Sequence, residues 1–257
     1  MIYFYSGRPG SGKSLHCAKM IDQYHRKGRN VICNFEVNQD FWRKKRCKKN
    51  PVLNDYALVT EVSNAELTVD FLMDFADKYH KRNSRGQIIE KQTLLIIDEC
   101  QTMFNSRSWN QKGRSAWVIF FTQHRKFGYT VILVSQHKDL IDKQIRHIFQ
   151  HDYEHRNVKN FKVFGWFLAM LCGGNLFFIP VKSMDTGKKD HTEVMLASKK
   201  YYRLYDSYKI FDTKTLRQLL GSPLLLAVES GGRGPPANRR QDGTAWQVMR
   251  RGFSPYT

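Results

Sequence analysis

Apolar positions along this chain fall into short continuous runs separated by stretches in which they recur every three or four residues, the pattern of buried strands joined by amphipathic helices. The run Ile2-Tyr3-Phe4-Tyr5 predicts a strand, and Leu15 to Arg26 predicts a helix. A strand is predicted over 30–37. Residues 63–79 predict a helix capped by Ser63 or Asn64, with Glu66 in its first turn. Leu94-Leu95-Ile96-Ile97 sets four aliphatics in a row before Asp98-Glu99, as a parallel strand buried on both faces requires. A helix over about 111–127, stopped by Gly128, precedes a further strand from Tyr129 to Gln136, and a short helix follows over 138–148. Strands alternating with helices predict a mostly parallel sheet with its ligand at the carboxyl ends of the strands.

One run admits two readings. Residues 163–181 carry no charge and are bracketed by Lys162 and Lys182, so their length permits a single membrane-spanning helix. Gly173-Gly174-Asn175 is a turn signal inside the run, and an insertion scale penalises such a turn near a helix centre. The preferred reading is a helix over 161–171, a turn, and a buried strand over 176–181. The domain is expected to span 1–212, with 151–212 as a small β-containing extension, and 221–257 reads as a flexible basic tail rich in Gly, Pro and Arg.

Composition narrows the class. A 41% hydrophobic and 13% aromatic content can build a core, which excludes a disordered chain. The 42 Lys and Arg against 23 acids give +19, a field that attracts nucleic acid or anionic membrane surfaces. Arg43 to Lys49 holds six basic residues in seven, beside Phe41 and Trp42. That run is a candidate grip on a phosphate backbone or anionic lipid, with Trp42 a candidate to stack on bases. The five cysteines are scattered without a CxxC pair, which fits a reducing compartment. The first residues have no basic segment or cleavage site of a secretory signal, and the fold is expected to begin at Met1.

The candidate chemistry starts where the first strand ends. Gly7-Arg8-Pro9-Gly10-Ser11-Gly12-Lys13-Ser14, with Leu15 opening the helix, is GxxxxGK[ST] in its strand-loop-helix context. Glycines let the backbone amides curl around phosphate oxygens, Lys13 reaches the β- and γ-phosphates, and the Ser14 hydroxyl ligates magnesium. Asp98, at the end of a second buried strand, is the candidate magnesium partner, and Glu99 the candidate base that orients and deprotonates the attacking water. Gln136 is a candidate to sense the γ-phosphate or position water, and Ser135 a weaker one. Arg125 is a candidate arginine finger for a neighbouring subunit, with Arg107, Arg114 and Arg146 as rivals. A nucleoside triphosphate and magnesium are the cofactors this set implies; ATP rather than GTP rests on the Asp98-Glu99 pair and on a family likeness.

With these residues in place the chain resembles the zonular occludens toxin (Zot) family, the assembly ATPases of filamentous phages, over about residues 1–212. The likeness rests on GRPGSGKS, Asn34 after the first helix, LLIIDEC, the Gln123-His124-Arg125 stretch before VILVSQ, and Tyr205-Asp206-Ser207-Tyr208. It implies a P-loop NTPase fold and an ATP-dependent role in assembling and extruding single-stranded DNA virions through the host envelope. In the family pattern Lys13, Ser14, Asp98, Glu99, Arg125 and Gln136 occupy the corresponding positions. The implied partners are single-stranded DNA or a phage nucleoprotein, phage coat or assembly proteins, and further copies of the chain. The implied place is the cytoplasmic side of the host membrane, with contact to the inner-membrane surface. Members usually continue past the Tyr205 region into a membrane-spanning helix, whereas Leu224 to Val228 is too short to span. Two alternatives keep the same loop: a DNA-packaging or conjugative-type translocase, and a scaffold switched by nucleotide.

Overall fold

The structure, a computed structural model, describes residues 1–42, 57–105, 113–158, 176–184 and 186–205. All of these lie in the first of two units into which the chain divides, Met1–Asp212. The basic run 43–49, Arg107, the expected helix 161–171 and the tail 221–257 lie outside the described residues.

Three strands from the apolar runs form the centre of the sheet. β1 (Ile2–Ser6), β4 (Thr93–Ile97) and β5 (Tyr129–Val134) run parallel, with β5 between the other two. β2 (Asn30–Cys33) and then β3 (Val59–Glu61) continue the parallel sheet beyond β4. On the other side of β1 lies β6 (His151–Glu154), also parallel. β8 (Leu176–Ser183) then pairs antiparallel with β6, with the short β7 (Arg156–Asn157), and with β9 (Lys189–Leu196). Among the described residues this makes one nine-stranded, mixed but mostly parallel α/β sheet.

Alternation along the central strands sends side chains to two apolar layers. Ile2, Phe4, Leu95, Ile97, Val131 and Leu133 pack with α2 (Val69–Tyr79) and α3 (Arg114–Gln123) on one face. Tyr5, Leu94, Ile96, Ile132 and Val134 pack with α1 (Lys13–Arg26) on the other. A third cluster joins Leu15 of α1 to Phe177, Ile179 and Met195 of the β8–β9 hairpin, so the C-terminal extension is built onto the phosphate-loop helix.

Several expected boundaries move, each for a local reason. The strand from Asn30 stops at Cys33, because the Asn34 side chain takes over the pairing with β4. The 63–79 helix begins at Val69, capped by Thr68, whose hydroxyl accepts from the Phe71 amide at 3.1 Å. The Ser63–Glu66 capping signal exists, but it closes a separate turn. The first helix starts at Lys13 rather than Leu15, and the helix over 111–127 is described from Arg114 to Gln123, with Gly128 closing the following turn. The Tyr129 strand ends at Val134. The stretch 138–148 is a 3-10 turn, Lys138–Leu140, and a one-turn helix α4 (Lys143–Arg146), divided where Asp142 caps the Gln144 amide.

Residues 176–181 form a strand within β8, as the preferred reading expected, with Ile179 and Val181 fully buried. A single membrane-spanning helix over 163–181 is thereby overturned, since the last six positions of that run lie in β8, while 163–175 lie outside the described residues. Among the described residues no helix is long and apolar enough to cross a membrane. Trp42 is also a correction. It is buried, its ring stacked on His25 at 4.2 Å and its Nε1–H donated to Asp22, and so is not free to stack on bases.

Asp22 ties three segments together. Buried on α1, it accepts from Arg26 Nε at 3.0 Å, from Trp42 Nε1 at 3.2 Å and from Lys200 Nζ at 2.5 Å, the last on α5 (Lys199–Tyr202). Burial pushes its carboxyl up, but the hydrogen bonds from Lys200, Arg26 and Trp42 outweigh burial and hold the pKa below the ordinary range. A depressed carboxylate stabilises the fold above its unfolded pKa, near 4, and loses that contribution as pH falls through the lower folded value. Asp22→Ala is expected to cost about 2–3 kcal/mol at pH 7, discounted because Arg26 and Lys200 reach solvent. The deficit should shrink below about pH 4. Denaturant titration of parent and variant checks this, and equal midpoints at pH 7 would remove Asp22 from the role.

Candidate functional site

β1 delivers the chain to a loop at the carboxyl edge of the sheet. Gly7 sits at φ 138°, where a Cβ would stand 2.5 Å from the His155 carbonyl oxygen. Gly12, at φ 96°, opens α1, and a Cβ there would meet the Phe177 ring at 2.7 Å. Only glycine fits both the backbone and the space at these positions. The Ser11 amide donates to the Arg8 carbonyl at 3.1 Å, closing the loop, and Lys13 Nζ donates to Gly7 O at 2.7 Å and Arg8 O at 3.3 Å. The Ser11 hydroxyl oxygen is buried with no hydrogen-bond partner among the described residues. A curled backbone at a helix N-terminus, a buried cation and an unpaired buried hydroxyl make a donor set suited to a phosphate chain. Leu15 turns its side chain into the β8–β9 core, so it offers this site only its main chain.

The acids stand at the end of β4, two strands away. Asn34 holds the Asp98 main chain from both sides, accepting from the Asp98 amide at 2.7 Å and donating to its carbonyl at 2.9 Å. Asn64 accepts from Asn34 at 2.7 Å and reaches Thr102, whose hydroxyl donates to the Glu99 carbonyl. Asp98 Oδ1 accepts from the Glu99 amide at 2.8 Å and Oδ2 from the Tyr205 hydroxyl. Burial and the neighbouring Glu99 charge raise the Asp98 pKa against these bonds and the Lys13 charge. Glu99 takes the left-handed backbone, φ 46°, which is costly for a non-glycine residue, and its exposed carboxylate accepts from Gln101. Burial lowers the Lys13 pKa, opposed by the Asp98 and Glu99 charges that face it.

The intervening strand β5 brings Ser135 and Gln136 between loop and acids. The Gly7 amide donates to the Gln136 carbonyl at 3.3 Å, and the Ser135 amide to Tyr5 O at 3.0 Å. Lys13, Ser14, Asp98, Glu99 and Gln136 are thus at one edge of the sheet. Arg125 is not brought there. It lies at the opposite, amino edge, in the turn before β5, paired with Glu90 at 3.1 Å, while the adjacent His124 ring contacts the Met1 amine at 2.7 Å. The five residues of β1 alone put roughly 15 Å between that turn and the loop. Arg114 pairs with Asp142 and Arg146 with Asp139.

Three groups were missed by sequence reasoning. Tyr205 lies in a motif that assigns it no role, and it touches Asp98. His16 and His155 form a buried chain beneath the loop. The two carbonyls facing His155 Nδ1, Ser6 O at 3.2 Å and Tyr153 O at 2.9 Å, require a hydrogen there. His155 Nε2 therefore accepts from His16 Nδ1 at 2.9 Å, and His16 Nε2 accepts from the Tyr5 hydroxyl at 3.4 Å. Isolated histidines in a sequence carry no signal of such pairing. Among the described residues no group of three or more His, Cys, Asp or Glu could hold a metal alone. Ser14 with Asp98 is an oxygen pair of the kind that shares magnesium with substrate phosphates.

A profile described as zonular occludens toxin (Zot) matches residues 1–208. The gene 1 protein of Enterobacteria phage I2-2 is 28% identical over 225 residues, 84% of this chain and 57% of that protein. The gene 1 protein of Enterobacteria phage M13 is 30% identical over 147 residues, 56% of this chain and 38% of that protein. The chain spans about half the length, or less, of these curated relatives. Among solved structures, the N-terminal domain of zonular occludens toxin from Neisseria meningitidis aligns with a TM-score of 0.47 at 18% identity, covering 80% of this chain and 98% of that one.

With both rings neutral every ring nitrogen of the chain has a hydrogen-bond partner, and the Glu193 carboxylate lies 4.0 Å from His16 Nε2. Burial lowers both pKa values, that of His155 to about 4; the His155 ring and Lys19 further oppose charge on His16, and Lys13 opposes it on His155 against the Tyr153 and Ser6 carbonyls. A folded pKa below the unfolded value near 6.5 means the contribution is whole above that pH and is lost as pH falls towards 4. Melting temperature is therefore expected to drop across this window, and less steeply in His16→Asn. An identical slope in the variant would assign the loss to other groups.

Proposed function

The chain belongs to the zonular occludens toxin family, and we propose that it is a magnesium-dependent ATPase that drives assembly and extrusion of a filamentous phage, exporting single-stranded DNA virions. The observation that carries this reading is the convergence of the Gly7–Ser14 loop, Asp98-Glu99 and Gln136 at one carboxyl edge of a parallel sheet. The loop amides and Lys13 bind the phosphates of ATP, and Ser14 and Asp98 hold the magnesium. That cation supplies positive charge to the phosphate oxygens. Glu99 orients water and accepts its proton, and Gln136 stands where it can read the γ-phosphate. A base of this kind favours a hydrolase over a scaffold that only switches.

Further parts of the proposal concern partners. A finger role for Arg125 requires a second copy, since its own loop is at the other edge of the sheet, and release from Glu90. Homo-oligomers, coat or assembly proteins, and single-stranded DNA or its nucleoprotein are the proposed partners, at the cytoplasmic face of the inner membrane. The charge of +19 supports an anionic strand or lipid surface as a target.

Lys13→Ala is expected to abolish measurable ATP hydrolysis. Glu99→Gln should keep ATP binding and lose about 100-fold or more in turnover. Binding without turnover in the parent protein, with or without single-stranded DNA, would favour the nucleotide-switched scaffold. Neutralising Arg43 to Lys49 should weaken single-strand binding and flatten its dependence on salt. A salt slope equal to that of the parent would assign the run elsewhere.

A further inference from the structure

Tyr205 stands between the two groups that would hold magnesium. Its hydroxyl donates to Asp98 Oδ2 at 2.5 Å and lies beside the Ser14 side chain. Ser14 belongs to α1 and Asp98 follows β4, so the phenol sits where the phosphate-loop helix and the acid-bearing strand end meet.

The ring is held independently of both. Lys200 on α5 is ion-paired with buried Asp22, Leu204 is fully buried, and the Leu204 carbonyl accepts from the Asn38 amide at 2.9 Å. The Tyr205 ring packs against Phe35 with centroids 4.1 Å apart. Packing of this segment therefore positions the phenol oxygen.

We propose that Tyr205 is a positioning residue of the magnesium site, an inference that rests on the nucleotide reading above. A serine that ligates a cation through a lone pair must point its hydrogen elsewhere, and the Tyr205 oxygen beside it offers an acceptor. With Oδ2 engaged by Tyr205 and Oδ1 by the Glu99 amide, the Asp98 carboxylate is held against rotation and presents its remaining lone pairs at a fixed angle. The hydroxyl thereby prepares both oxygens for the cation.

The test is binding of a fluorescent ADP analogue to the full chain, in EDTA and across a magnesium titration, for the parent and Tyr205→Phe. The variant keeps the ring that packs on Phe35. Its affinity in EDTA should equal that of the parent, while the magnesium concentration for half-maximal binding rises about tenfold, as expected for one lost hydrogen bond to a charged acceptor. An unchanged requirement overturns the inference, as does a lower one, which would show the phenol competing with the cation. An equal loss of affinity in EDTA would mark a general structural role and also overturn it. If Tyr205→Phe does not fold, Phe35→Leu, which loosens the ring and keeps the hydroxyl, should raise the same requirement by a smaller factor, and no rise overturns the inference. A parent protein that binds no nucleotide sinks the nucleotide reading itself, an outcome distinct from the others.

Discussion

The backbone at Gly7 passes so close to the His155 carbonyl that a single added carbon would lie 2.5 Å from it. That approach fixes the base of the loop against the β6–β7 corner, and much else follows from it. The His155 amide donates to Ser6 O at 2.8 Å, its ring accepts from His16 on α1, and His16 stacks on Tyr5 of β1 at 4.5 Å. Strand, loop and helix are thereby joined by neutral, fully paired polar groups. Buried imidazoles are tolerable here because each ring nitrogen has a partner, and a proton added between them would have none.

The same economy of contact extends the site outward. Phe177 fills the space left by the missing Cβ of Gly12, and Leu15 packs against the hairpin that carries Phe177. The C-terminal extension is thus part of the wall of the phosphate loop. On the opposite flank, Asn34 replaces a strand pair with its side-chain amide, which lets β2 end while Asp98 stays hydrogen-bonded. The chain then turns at Glu99 through a left-handed residue held by Gln101 and Thr102. A strained residue anchored beyond a rigid strand end is a common arrangement where orientation of a side chain matters more than local backbone energy.

Charge is distributed with the same logic. Lys13 faces Asp98 and Glu99, and the raised Asp98 pKa and lowered Lys13 pKa both have burial as their largest cause. An anionic phosphate chain beside Lys13 and a cation beside Asp98 would each meet the sign that burial disfavours in the protein alone. Arg125 contributes nothing to this balance within one chain, because it lies on the other edge of the sheet beside Glu90.

Local chemistry determined a good part of this protein in the sequence alone. Four consecutive aliphatics ending in Asp98-Glu99 can be little other than a doubly covered strand, and the Gly7–Ser14 spacing specifies a phosphate loop because backbone freedom and donor positions are properties of neighbouring residues. The strand within 176–181 was legible for the same reason. Strands β3, β6 and β9 were not, since they are short or polar, and β9 is mostly exposed along its length, leaving no alternation to read. Only the tertiary structure decided that Trp42 is buried on His25, that Arg125 is remote from the loop, that His16 meets His155, and that Tyr205 meets Asp98. Those contacts join residues far apart in the chain, and whether two such side chains touch depends on how strands are ordered and helices packed, which no local pattern encodes.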